Sequence, residues 1–409
     1  MRPTNPLTGI APLTALLILG AALLPIGPAA AAAKRISSPK GRYLIHTNLT
    51  STETRLYGRH MDAVFAEYQR RFEHLGGGGG ETMPLYLFRT QQQFVGFLGS
   101  HGIRAQNTSG MFFVQPSVRG LATWTQGKSL SKTFAVLQHE GFHQFAHVYF
   151  GHGLPVWLNE GIAQYFEDGV FAKGKMELGI ANGRRIETVR WALKNGKQID
   201  FDDLLNMTDE QWKQRVVSGH ESGSLLYAQS WSIVFFLIHG EKGRYKKAFE
   251  DYLRQVADGV RNDDAFRSAF RTSDTAPFRR RWVKFAMQVK PDALNTALRR
   301  MEFLGEGLRL LHERRTRPPK SLAALRGQLQ RVSFHTIRQT HGFKEEASAA
   351  NESVYRYTMA NGARAQFQLL EASGADLPPR IVGRGLSPEP TLIWSRDAEG
   401  KLVQAFAYR

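Results

Sequence analysis

The chain has 409 residues, with 54 Lys and Arg against 36 Asp and Glu and a formal net charge of +18. It contains no cysteine, which excludes disulfide stapling, thiol catalysis, thiolate metal sites and lipid attachment through an N-terminal cysteine. Stability must come from an ordinary apolar core, and the length allows one large domain and a small one.

Residues 1–33 run from a short polar start through LTALLILGAALL to PAAAAA. The apolar stretch, residues 13–24, is shorter than the roughly twenty residues that span a bilayer. It ends in small residues that fit cleavage after one of Ala31, Ala32 or Ala33. This segment is predicted to be a signal peptide, which makes the protein periplasmic or extracellular, with no stable membrane span after cleavage. The alternative is an uncleaved N-terminal anchor, because only Arg2 and the amino terminus charge the start.

Next, YLIHTNL (43–49) reads as a strand, and 51–72 carries Leu56, Met61, Val64, Phe65, Tyr68 and Phe72 at helical spacing. Five glycines at 76–80 read as a flexible loop; with no Lys-Ser/Thr pair behind them they do not form a phosphate cradle. Residues 83–88 suit a strand and 90–98 a short capped helix. Two short strands, 111–114 and 120–124, precede the stretch on which the chemistry rests.

That stretch is SKTFAVLQHEGFHQFAHVYFGHGLPVWLNEGIAQYFE, residues 131–167. Here His139, Glu140 and His143 form HExxH. On a helix, residues i and i+4 share a face about 6 Å apart along the axis, so two imidazoles can converge on one tetrahedral Zn²⁺ at about 2 Å each. Glu140, the next residue round, can lean over the open side of the metal, where a general base must act. Ser131 is the expected helix cap, and Phe134, Leu137, Phe142, Phe145 and Ala146 supply an apolar surface. A third ligand decides the matter. His147 lies about 12 Å along the axis from His139, too far to share one ion. Glu160 is the better candidate, because Gly151, Gly153 and Pro155 break the first helix and let a second, 158–166, return beside it.

HEGFH followed by LPVWLNEGIAQYFE resembles the gluzincin metallopeptidases of the thermolysin-like superfamily, in particular exported peptidase MA-like domains. WLNEG is also similar to the corresponding string of zinc aminopeptidases. The resemblance covers about residues 43–289 and implies His139, His143 and Glu160 as zinc ligands, with Glu140 as general base. It further implies that the sheet edge beside the zinc helix holds extended substrate. Two features depart from the pattern. No GxMEN-type string is present to anchor a substrate amino terminus, and four residues after Glu160 stands Gln164 rather than an acidic residue.

After Glu167 helices are expected near 183–195, 208–216, 223–239, 245–257 and 277–289. GSLLYAQSWSIVFFL (223–237) is apolar enough to be buried. A peptidase needs a donor for the developing oxyanion. Tyr227, a buried phenol in that helix, is the candidate, and YAQSW resembles the place where related gluzincin domains carry their catalytic tyrosine. Its rival is His220 in the polar run VVSGHESGS, read as a loop.

Residues 242–331 hold 22 Lys and Arg against 10 Asp and Glu. This charge suits an anionic cell-envelope partner or a solvated basic face; with no nucleic-acid-binding motif, nucleic acid is not expected. Pro318 and Pro319 mark a boundary. Beyond it the chain turns β-rich and ends in a hairpin with its turn at 397–400.

The expected fold class is α+β. A small mixed sheet packs on a zinc-bearing helix pair, a helical second half follows, and a small β-rich C-terminal module ends the chain. The expected divisions are a signal peptide (1–33), a gluzincin-like metallopeptidase domain (34–317; strands and zinc helices 43–168, helical part 169–317) and the C-terminal module (318–409). The expected function is an exported zinc-dependent peptidase, an endopeptidase rather than an exopeptidase. The alternatives are a catalytically silent relative that binds peptide or cell-wall polymer, and a zinc hydrolase acting on another amide.

Overall fold

The computed structural model describes residues 34–72, 75, 80–106, 108–150, 153–217, 220–340, 343–359, 361–397 and 400–409, with 220–222, 339, 340 and 343 described by backbone alone. The segment expected to be a signal peptide (1–33), four of the five loop glycines and Gly151 lie outside the described residues.

Strands β1 (Lys34–Ser37), β2 (Tyr43–Thr47), β3 (Met83–Phe88), β4 (Gly110–Gln115) and β5 (Val118–Trp124) form a mixed sheet in the order β1-β2-β3-β5-β4. β2 and β3 each bury every second residue, the period of a pleated strand facing a core on one side. The β2–β3 and β3–β5 pairs are parallel, so their connections must cross over; α1 (Ser51–Phe72) and α2 (Gln91–Ser100) do this. β4 returns antiparallel to β5 at the sheet edge.

Helices α3 (Leu130–Tyr149) and α4 (Val156–Glu167) follow. The cap of α3 is Ser129, whose side chain accepts from Lys132 N, not Ser131 as the sequence suggested. Ser131 sits inside the first turn. Then come the hairpin β6 (Val170–Ala172) and β7 (Lys175–Glu177), and the helices α5 (Gly183–Lys194), α6 (Phe201–Leu205), α7 (Asp209–Val217), α8 (His220–His239), α9 (Lys246–Ala257), α10 (Asn262–Phe270) and α11 (Ala276–Gln288). One continuous core joins the sheet to these helices, through Tyr43, Tyr68, Phe142, Trp157, Trp231 and Trp282. The expected mixed sheet, helix pair and helical second half are all present.

A second core belongs to the C-terminal part. It is built around α12 (Ala293–Glu313) and α13 (Leu322–Arg331). The strands are β8 (His335–Thr340), β9 (Phe343–Ser348), β10 (Arg356–Thr358), β11 (Arg364–Gln366), β12 (Gln368–Leu370), β13 (Arg380–Val382), β14 (Pro390–Arg396) and β15 (Leu402–Tyr408). Met301, Leu304 and Leu308 of α12 meet Ile381, Leu392 and Trp394 there. The predicted terminal hairpin is β14–β15, closing the sheet β12-β13-β14-β15. Between the first turns of α3, α12 and β15 lies a cavity of about 630 Å³ with Ser131, Lys132, Glu167, Arg299, Glu302 and Phe406 on its walls. Among the described residues no helix is long and apolar enough to cross a membrane.

Candidate metal centre

Helix α3 buries Leu137, Phe142, Phe145 and Ala146, turns His139 and His143 towards α4 and places Glu140 against β4. The two imidazoles lie 4.8 Å apart, centroid to centroid, nearly perpendicular. Glu160 Oε2 is 3.3 Å from His139 Nε2 and 3.5 Å from His143 Nε2. Two ligands about 2.1 Å from one ion at the tetrahedral angle are about 3.4 Å apart, so both separations fit. Glu160 Oε2 is buried and makes no hydrogen bond of sound geometry with either ring, which leaves it open to a cation. Among the described residues, His139, His143 and Glu160 are the group of His and carboxylate side chains able to hold a metal ion. His147 is outside it and packs against Phe112, with ring centroids 5.4 Å apart.

The electrostatics are those of a coupled cluster. Burial pulls the His139 imidazole down, but the Glu160 and Glu167 carboxylates outweigh it and hold the ring well above the ordinary histidine value. His143 is raised likewise, burial being outweighed by Glu160. Burial opposes ionisation of Glu160, yet the two histidines hold it well below the carboxylate range.

Each residue of WLNEG has a task. Trp157 and Leu158 are fully buried and seat α4. Asn159 Oδ1 is 3.0 Å from His143 Nδ1. Glu160 points into the centre. Gly161 permits the approach of α8: a Cβ there would lie 2.7 Å from Ser230 O and 2.7 Å from Val234 Cγ2. At the other wall Gly110 does the same for β4, since a Cβ would collide with Val136 Cγ1 and meet Glu140 Cγ at 3.3 Å. The close contact brings Phe112 N to Glu140, to whose Oε2 it donates at 2.8 Å. The general-base candidate is thus oriented by the backbone of the edge strand.

Sequence reasoning missed the residues that orient His139. The acidic partner absent at Gln164 is supplied one turn later by Glu167, whose Oε2 is 3.1 Å from His139 Nδ1; Gln164 Nε2 is 3.5 Å from the same atom. Seven residues make almost two turns, so Glu160 and Glu167 share a face of α4, and that spacing was the available signal. Glu167 is held by Arg185 at 3.1 Å, which also pairs with Asp168. A carboxylate accepts only, so the contact with Glu167 favours the proton on Nδ1 and leaves Nε2 free to ligate. Burial raises Asp168 to about 6 even though Arg185 opposes it.

Tyr227 lies on α8 with its ring edge-on to Trp212, centroids 5.3 Å apart. Burial raises its phenol, and the charges of Glu160, Glu140 and Glu167 add to that rise, so the hydroxyl stays protonated and can donate. His220, expected in a loop, is instead the first residue of α8; its side chain lies outside the described residues.

The class of site is therefore a half-buried His₂Glu group on a helix pair, able to bind a metal ion, with a further glutamate beside it. A family model described as "Protein of unknown function (DUF1570)" matches residues 133–271, a span that includes all four of these side chains and Tyr227. None of the curated proteins matches the chain.

Proposed function

We propose that the protein is an exported zinc-dependent peptidase of the gluzincin type. The observation that carries this reading is the separation of Glu160 Oε2 from the two Nε2 atoms, 3.3 and 3.5 Å, beside a glutamate poised by its own hydrogen bond. A donor set of two imidazoles and one carboxylate, with no thiolate in the chain, suits Zn²⁺. His139, His143 and Glu160 would hold it, and bound zinc would supply Lewis acidity to a water and to a substrate carbonyl.

The remaining work falls to the chain's own residues. Glu140, with one oxygen engaged by Phe112 N, has the other available to take a proton from the attacking water and to pass it to the leaving amine. Tyr227 is assigned as the donor to the developing oxyanion. The outer edge of β4, which pairs only with β5 among the described residues, supports docking of an extended peptide beside Glu140. This favours internal cleavage over removal of a terminal residue. Exposed Lys246, Lys247, Arg280 and Lys284 support an anionic cell-envelope partner.

Peptide-library cleavage by purified protein and by Glu140→Gln tests the activity. Cleavage by the first and none by the second is expected. Equal cleavage by both would refute the role of Glu140, and cleavage by neither, with metal bound, would favour a silent binding protein.

A further inference from the structure

The first turn of α5 joins the metal centre to the C-terminal part. On its inner side Arg185 reaches Glu167 at 3.1 Å and Gln164 O at 3.1 Å, while the cap Asn182 donates to Asp168 Oδ1 at 2.8 Å. On its outer side Gly183 N donates to Asn295 Oδ1 of α12 at 2.9 Å, and Arg184 Nε donates to Glu345 Oε2 of β9 at 2.8 Å. The other oxygen of Glu345 accepts from Arg299 of α12 at 2.7 and 3.0 Å. One carboxylate thus ties α5 to α12, and the two guanidinium groups hold it below the ordinary carboxylate range against the opposing effect of burial.

These ties border the 630 Å³ cavity, on whose walls Arg184, Arg299, Glu167 and Asp168 all appear. Where close packing is missing, position is set by directional charged hydrogen bonds. A second tie reaches α3 itself: Phe406 N of β15 donates to Ser131 Oγ at 3.0 Å, two turns before His139.

We propose that the C-terminal strands brace the metal centre and that Glu345 is a positioning residue for His139, acting through Arg184, the first turn of α5, Arg185 and Glu167. With Glu345 neutralised, the turn keeps Asn295 and the Arg184–Glu302 pair but loses its charged tie to β9; Arg185 gains freedom, and Glu167 fixes the orientation of the His139 ring less firmly. The inference rests on the metal-centre reading above.

The test uses the full chain and zinc alone as the probe. Zinc affinity is measured by competition with a chromophoric chelator, alongside thermal unfolding, for wild type, E345Q, E167Q, the E345Q/E167Q double variant and the control E352Q. Glu352 pairs with Arg326 and Arg356 at the surface of the same C-terminal part. Groups directly behind a ligand are worth about 10–100-fold in metal affinity; one step further out, E345Q should weaken zinc binding about 3–10-fold. It should add nothing in the E167Q background, because both act through one contact, and E352Q should bind as wild type does. Wild-type affinity in E345Q, or an equal further loss in the double variant, overturns the brace and leaves the metal centre standing. A wild-type protein that binds no zinc sinks both. Should E345Q fail to fold, Arg184→Lys, which keeps the charge but not the guanidinium geometry, is read by the same two criteria.

Discussion

Replacing Glu167 by Gln isolates what orients a ligand from the ligand itself. The side chain keeps its shape and loses its charge, so the contact of 3.1 Å to His139 Nδ1 can persist through the amide oxygen, while Arg185 keeps Asp168 as its carboxylate partner. What disappears is the charge that raises the basicity of the ring. Loss of a partner of this kind costs about 10–100-fold in metal affinity, and about 1.4 kcal/mol accompanies each factor of ten. Because the amide still accepts a hydrogen bond, the lower end applies: about tenfold weaker zinc binding, or roughly 1.4 kcal/mol. Competition titration at neutral pH against a chromophoric chelator measures it directly. Wild-type affinity in Glu167→Gln would show that His139 is oriented by something else and would remove the assignment of Glu167.

Gly161→Ala drives a methyl to 2.7 Å from Ser230 O, and overpacking of this kind costs about 1–3 kcal/mol; thermal unfolding should show the loss and zinc titration a weakened site, whereas a wild-type unfolding midpoint would refute the tight α4–α8 approach. Tyr227→Phe should lower kcat about a hundredfold or more while KM, zinc content and thermal stability stay unchanged; an unaltered kcat alongside a large loss in His220→Ala would pass the donor role to His220. Lys128 sits over the Trp124 ring and donates to Ser109 O, and burial lowers its ammonium to about 7. Between about pH 7 and the unfolded lysine value near 10.4, the unfolded chain binds more protons at this residue than the folded one, so its contribution makes stability rise with pH. Denaturant titrations across that window should show a shallower rise in Lys128→Met, and an identical slope in both proteins would contradict the burial.

The metal group was legible because its logic is local. HExxH fixes two side chains on one helical face, the Gly and Pro residues after it force a return, and WLNEG places a carboxylate on the returning helix; the structure brings these three side chains together as the spacing implied. What escaped is what distance in sequence hides. Glu167 meets His139 across 28 residues and Phe406 meets Ser131 across 275; the seven-residue spacing of Glu167 from Glu160 is a signal for the first pair, and no periodicity encodes the second. Ser131 and Ser129 both have the side chain and position of a helix cap; in the folded chain Ser129 caps α3 and Ser131 serves β15. Helices α10, α12 and α13 lie in basic sequence whose charges mask their period. In α12, Leu294, Ala297, Met301, Leu304, Leu308 and Leu311 do keep a helical period, but charged residues crowd the intervals and draw attention to the surface rather than to the core that this stripe builds.

Metal content of the purified protein is the most direct test of the metal centre. About one Zn²⁺ per chain should be present in the wild type, retained in Glu140→Gln and lost in His139→Ala, His143→Ala and Glu160→Ala, because the proposal makes three side chains the ligands and the fourth the base. Full zinc occupancy in Glu160→Ala, or none in the wild type after reconstitution, would contradict it.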